Sequence, residues 1–340
     1  MGAEEPSRPQ HRSLKDLEVT ADRLLVAAIA PSTYTNYSSA FDRYKSFCRR
    51  HGLSPYPARE DTLIPFVSDL SYTHSHSSIK VHMSAIAYYS AVRGDRVKFP
   101  EFRRLYYVLR GIKRTQGRSR RRKKRAPITP AILKEINISL FNSSHPYEDK
   151  VMLWAALLTA FYGFLRVSEY TSSRKTSFDP ATTLLFSDMA FKSDGSVSLL
   201  IKASKTDPFR QGVLLRIARN DSHLCPVNAL RHLDRVHPSR SGPLFTFHNG
   251  RFLSRRDINR LLVQSTEGRM TVSSHSLRIG AASTAAAAGC PKWLIQALGR
   301  WSSDCFRQYI RIPKKTIDDT SKNLAKCNAD DIRSFDPDTL

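Results

Sequence analysis

Several short stretches of this sequence hold side chains suited to chemistry on a phosphate ester. In SSHSLRIGAAS, His275 and Arg278 are three apart, so on a helix they project from one face about a turn apart. A guanidinium offers a planar fork of donors that matches two phosphate oxygens, and an imidazole beside it relays a proton. Arg166 follows the apolar run VMLWAALLTAFYGFL, so it enters a partly buried setting and needs a partner or an anionic ligand. Glu169, at i+3, can be that partner. Lys205 sits in KASKTDPFRQG, just before the turn-forming Thr206-Asp207-Pro208, and is expected at a hairpin tip. An ammonium carried there can reach a nucleic-acid groove and protonate a leaving oxygen. In LGRWSSDCFRQYIR, Trp301 and Tyr309 lie eight apart, around a Ser302-Ser303-Asp304 cap expected to start a new helix. Arg307 and Arg311 flank Tyr309. A phenol attacks only where cations stabilise its phenolate and the developing charge.

Each stretch alone also has an ordinary reading. These are an exposed polar helix face, an intrahelical ion pair, a solvated lysine and a core-packed tyrosine. Helix, glycine turn, helix over Ala281–Trp301 also has the outline of a helix-turn-helix DNA reader.

The elements that must position these residues follow from periodicity. Ser32 is expected to cap a helix carrying Tyr34, Tyr37, Phe41, Tyr44 and Cys48 on one face, stopping at Gly52. Regular spacing favours core packing for this aromatic stripe over base stacking. Further helices are expected from Asp61 to Leu70, through Ile79, Met83, Ile86 and Ser90 to Gly94, and from Phe102 to Leu109. Beyond residue 128 the pattern is mixed, with helices over 130–142 and 149–170. Three short strands then follow: Thr183–Phe191, Val197–Ala203 and Gly212–Ile217, the first two joined at Asp194-Gly195. From residue 226 helices return, broken around Pro243–Phe252. Strands inserted among helices indicate α+β rather than an alternating parallel sheet.

Composition narrows the partner. The chain has 340 residues and a formal net charge of +24, with 41% hydrophobic residues, too apolar for a disordered protein. Residues 1–112 carry net +5, 113–127 net +9 with no acidic side chain, and 128–340 net +10. The densest run is Arg118, Arg120, Arg121, Arg122, Lys123, Lys124 and Arg125. Such a run repels itself and is expected to be an extended linker. It satisfies a nuclear localisation signal and equally a strap across duplex phosphates. No apolar run is long enough for a membrane span. The opening MGAEEPSRPQ lacks a signal-peptide pattern, and five cysteines without a CxxC pair argue for a reducing compartment. His223, Cys225, His232 and His237 lack ligand spacing, so no metal site and no cofactor are expected.

The order Arg166, Lys205, His275 with Arg278, Trp301, Tyr309 along one domain resembles the tyrosine recombinases, the phage-integrase-like family. The match covers most of the chain, through RVSE, SKTD, HSLR, LGRW and the Tyr309 segment. The spelling SLRIGAAS…GRWSSDCFRQYIR is most similar to recombinases of eukaryotic retrotransposons of the DIRS and Ngaro kind. The resemblance implies an α+β protein: an all-α core-binding (SAM-like) domain, then a mixed α+β catalytic domain with a small antiparallel sheet. The corresponding boundaries are a flexible N-terminus 1–24, a helical DNA-binding domain 25–112, a basic linker 113–127, a catalytic domain 128–315 and a tail 316–340. It implies strand cleavage through a 3′-phosphotyrosine on Tyr309, with Arg166 and Arg278 clamping the phosphate. Lys205 and His275 would move protons, and Glu169 would orient the clamp from behind. The family usually places His or Trp nine residues before the tyrosine, and here that position is Arg300. Trp301 follows it and is favoured for the role, with Arg300 the alternative. The implied partner is double-stranded DNA, held by a homo-oligomer, a tetramer on two sites. The tail carries six acidic and three basic residues and is expected on a protein surface rather than DNA. Rival readings are a catalytically inactive, domesticated DNA-binding protein and a type IB topoisomerase-like enzyme.

Overall fold

Two separate hydrophobic cores organise the chain, one within residues 1–122 and one within 123–340. They are seen in a computed structural model that describes residues 12–95, 97–119, 124–204, 207, 211–237, 240–311, 317–319 and 322.

The first unit is helical. Helix α1 (Leu14–Ala27) is capped by the Ser13 hydroxyl, which accepts the Asp16 N–H at 3.2 Å. Most of the described part of the segment expected to be flexible, 1–24, is therefore helical. It buries no residue, and good helix formers with a side-chain cap account for it. Helix α2 (Pro31–Arg50) starts on Pro31 rather than after Ser32, because proline suits the first helical position. Its stripe turns inward at Phe41, and the buried Tyr44 ring meets Phe66 at 5.1 Å. Helices α3 (Glu60–Thr73), α4 (His76–Arg93) and α5 (Arg103–Ser119) complete the unit. Since α5 runs on to Ser119, the first seven residues of the expected extended linker are helical.

The second unit wraps helices around α7. Helix α6 (Pro130–Phe141), capped by Thr129, leads to α7 (Tyr147–Tyr162), whose residues 151–161 are all buried. The helix expected over 149–170 ends at Tyr162, and a separate single turn, α8 (Val167–Tyr170), follows. Strands β1 (Met189–Phe191), β2 (Val197–Ile201) and β3 (Val213–Ile217) form an antiparallel sheet in that order, with Met189 opposite Leu199 and Leu199 opposite Leu215. The first strand starts at Met189, not Thr183. Asp188 accepts the Leu185 N–H at 2.7 Å and closes a 3-10 turn over Phe186–Asp188. Helices α9 (Pro226–Val236), α10 (Arg255–Ser265), α11 (His275–Ala287) and α12 (Lys292–Leu298) follow, then a 3-10 turn over Asp304–Gln308.

The end of the basic segment is docked on this unit. Ala126 N–H donates to Thr271 O at 2.9 Å and Ile128 N–H to Ser276 O at 3.0 Å. Gly280 permits the contact, since a Cβ there would stand 1.8 Å from the Ile128 carbonyl oxygen.

Candidate active site

The site grows from the abrupt end of α7. Beyond Tyr162 the backbone turns through Gly163 and Phe164, a non-glycine residue at φ 49, so Arg166 caps α8 instead of continuing α7. Glu169 closes that turn. One carboxylate oxygen accepts the Arg166 backbone N–H at 2.9 Å and the other accepts Arg166 Nη1 at 3.0 Å. The expected pair forms, but across a cap rather than along a helix. The Glu169 side chain is fully buried and that of Arg166 is 16% exposed.

Arg278 lies on the first turn of α11 and is fully buried. Its two terminal nitrogens donate to the carbonyls of Phe164 and Gly299. Its Nε has no hydrogen-bond partner among the described residues. The guanidinium lies 4.2 Å from the centre of the Trp301 ring and 5.9 Å from that of Tyr309. Burial first, then the charge of Arg166, pulls its pKa down to about 10, which leaves it charged at neutral pH.

Trp301 is 5% exposed, and its indole N–H also lacks a partner among the described residues. Its seat depends on Gly299, where a Cβ would stand 1.6 Å from the ring. Tyr309 ends the 3-10 turn rather than riding a helix, and its ring lies 4.9 Å from His275 and 5.0 Å from Trp301. Ser283 on α11 holds this segment. Its hydroxyl donates to Tyr309 O at 3.1 Å and accepts the Arg311 N–H at 2.9 Å.

His275 opens α11. Burial pushes its pKa down to about 4, helped by Arg125, Arg278, Arg166 and Arg255, so the ring is neutral at pH 7. A neutral imidazole is a proton acceptor. The cations expected around Tyr309 are arranged differently. Arg307 pairs with Asp304 at 2.8 Å and Arg311 donates to Gln308 O at 2.6 Å, both within local turns. The cation held near the Tyr309 ring is Arg278.

Arg300 is also here, partly buried, its side chain 10% exposed and paired with Glu169 at 2.7 Å. Ser283 and Gly299 escaped the sequence reading: a serine in an alanine-rich helix carries no signal, and only the Gly-Arg-Trp spelling pointed toward residue 299. Arg166, Glu169, His275, Arg278, Arg300, Trp301 and Tyr309 thus meet in one cluster. Lys205 lies outside the described residues, as do Arg120, Arg121, Arg122 and Lys123. The Arg118 backbone belongs to α5, and Lys124 and Arg125 are exposed. Among the described residues no group of three or more His, Cys, Asp or Glu is placed to hold a metal, and no helix is long and apolar enough to cross a membrane.

The fold is that of the tyrosine recombinases and integrases. The Tn1549 transposon integrase in complex with transposon right end DNA superposes with a TM-score of 0.61 at 15% identity, over 91% of this chain and 98% of that one. The XerH site-specific recombinase in its post-cleavage complex with palindromic difH gives 0.59 at 14% identity, over 85% and 78%. A lambda integrase dimer bound to a COC′ core site gives 0.55 at 16% identity, over 88% and 95%. No protein-family model and no curated protein matches the sequence.

Proposed function

We propose that this protein is a site-specific DNA recombinase that breaks and rejoins strands through a 3′-phosphotyrosine on Tyr309. The observation that carries the reading is the Arg278 guanidinium, buried against the Trp301 and Tyr309 rings with its Nε unpaired among the described residues. Beside it Arg166 and Arg300 share the carboxylate of Glu169. That surplus of positive charge, buried at Arg278 and partly buried at Arg166 and Arg300, suits a phosphodiester, and suits better the added charge of its transition state.

In this mechanism the Tyr309 oxygen attacks phosphorus and its proton passes to neutral His275. The new P–O bond to tyrosine forms as the P–O5′ bond breaks. Arg166 and Arg278 clamp the non-bridging oxygens, the Trp301 N–H donates beside them, and Lys205 protonates the departing 5′ oxygen. The steps reverse when another strand's 5′ hydroxyl attacks the phosphotyrosine, so bond energy is conserved without ATP. Two guanidinium groups supply the charge that a divalent cation would. The partner is duplex DNA, engaged by a tetramer on two sites. Its origin in a mobile element of the DIRS or Ngaro kind and its nuclear address, through residues 118–125, belong to the same proposal.

The test uses duplexes of randomised sequence, each with one 5′-bridging phosphorothiolate, incubated with the full-length protein. A covalent protein–DNA adduct is expected with the wild type and none with Tyr309→Phe, at equal duplex affinity. An adduct that survives Tyr309→Phe displaces the nucleophile. Binding without any wild-type adduct makes the protein a DNA-binding protein only. Relaxation of a plasmid lacking any target site favours a topoisomerase.

A further inference from the structure

Arg300 occupies the position where the alternatives diverged, and its hydrogen bonds go to the protein itself. Nη2 donates to Glu169 at 2.7 Å and to the Phe164 carbonyl at 3.3 Å. Nη1 donates to the carbonyls of Gly163 at 3.1 Å and Leu298 at 3.4 Å. Only Nε lacks a partner among the described residues. The Phe164 carbonyl also receives Arg278, and the Glu169 carboxylate also receives Arg166. Arg300 therefore shares one acceptor with each arm of the clamp. Both Arg300 and Phe164 have left-handed backbone, at φ 53 and 49, a conformation non-glycine residues rarely adopt unless their surroundings hold it.

We propose that Arg300 is a positioning residue, a bracket that sets Arg166 through Glu169 and Arg278 through the Phe164 carbonyl, while Trp301 meets the phosphate. The inference rests on the strand-cleaving reading of the cluster. With its Oε2 held from two sides, by the Arg166 N–H and by Arg300, Glu169 presents Oε1 to the Arg166 side chain in a single orientation. Without Arg300 the carboxylate keeps only the cap's N–H on Oε2 and can tilt about it, which loosens its hold on the Arg166 side chain. A planar fork reaches the carboxylate and the Gly163 carbonyl together, which a lysine ammonium on one stem does not.

Two measurements on the full-length chain test the bracket. The first follows the arginine side-chain 15N–1H resonances without DNA. In Arg300→Met the Arg166 resonance should shift toward that of a less restrained guanidinium, with Arg300→Lys intermediate. An Arg166 resonance that stays in place overturns the proposal. The second is a cycle of single-turnover adduct rates on the phosphorothiolate pool. Arg300→Met should slow adduct formation by about 10- to 100-fold, the scale of a misplaced reacting group, with duplex affinity unchanged. In a Glu169→Gln background the same change should cost little more, because both act through one carboxylate. Losses that multiply instead place Arg300 directly on the phosphate and overturn the bracket. If the wild type forms no adduct, the strand-cleaving reading fails, and the resonances alone decide the bracket.

Discussion

Between Lys113 and Arg125 nine basic residues stand without an acidic one, whereas Arg166, Arg278 and Arg300 gather about Glu169, Arg278 fully buried and the other two partly so. In the basic segment, Lys124 and Arg125 are exposed and keep their hydration. Charges of that kind attract a polyanion at long range, are screened by salt and impose little geometry. Arg278 has given up its water and the other two much of theirs, and they hold their places through backbone carbonyls, a carboxylate and an indole face. Their number is small beside the net +24, yet each is held in a fixed position by named partners. Net charge acts at a distance without geometry, while burial fixes a charge in place.

That contrast breaks first at Arg278. Arg278→Met should lower the single-turnover adduct rate by about 10³-fold, the cost of losing a preorganised donor, with duplex affinity nearly unchanged. Lost affinity at an unchanged rate would place Arg278 among the steering cations. The next effect is at Gly299, where Ala would drive a Cβ into the Trp301 ring. Gly299→Ala should cost about 1–3 kcal/mol in chemical denaturation and slow adduct formation as well. Unaltered stability would mean that the ring can sit elsewhere.

His275 sharpens the contrast through pH. Its folded pKa of about 4 lies below the usual 6.5, so between these values the unfolded chain binds more protons than the folded one. The contribution to stability is complete above pH 6.5 and is lost as pH falls toward 4. Urea unfolding of the DNA-free protein should show that slope, and His275→Gln should reduce it. An unchanged slope would assign it to other groups. The smallest effect belongs to the exposed segment. Lys124→Gln should lower the slope of log affinity against log salt by about 0.9 and leave the adduct rate at saturating DNA unchanged.

Much of the helical framework was legible because apolar spacing is local. The stripe from Phe41 to Cys48, the Gly94 stop, the helix after Thr129 and the helix bearing His275 and Arg278 can all be read from nearby residues. The ends were harder. VMLWAALLTAFYGFLRV has no polar break, so nothing in its periodicity shows that α7 stops at Tyr162 and that Arg166 becomes a cap. A similar failure placed the first strand at Thr183, because the Asp188 cap on Leu185 competes with extension. Arg307 and Arg311 were assigned to Tyr309 by adjacency. Each is satisfied by its own turn, and the nearby cation comes from α11.

The charge distribution, the helical periodicities and the inventory of reactive side chains were all legible in the sequence, since charge and spacing belong to the chain. The tertiary structure decided which guanidinium groups are dry, which face of Glu169 each one meets, and that Trp301 and Arg300, adjacent in sequence, part company. Trp301 stacks on Arg278 while Arg300 turns back to the end of α7. Those outcomes depend on desolvation and on carbonyls contributed by residues more than a hundred positions away, and no local pattern records either.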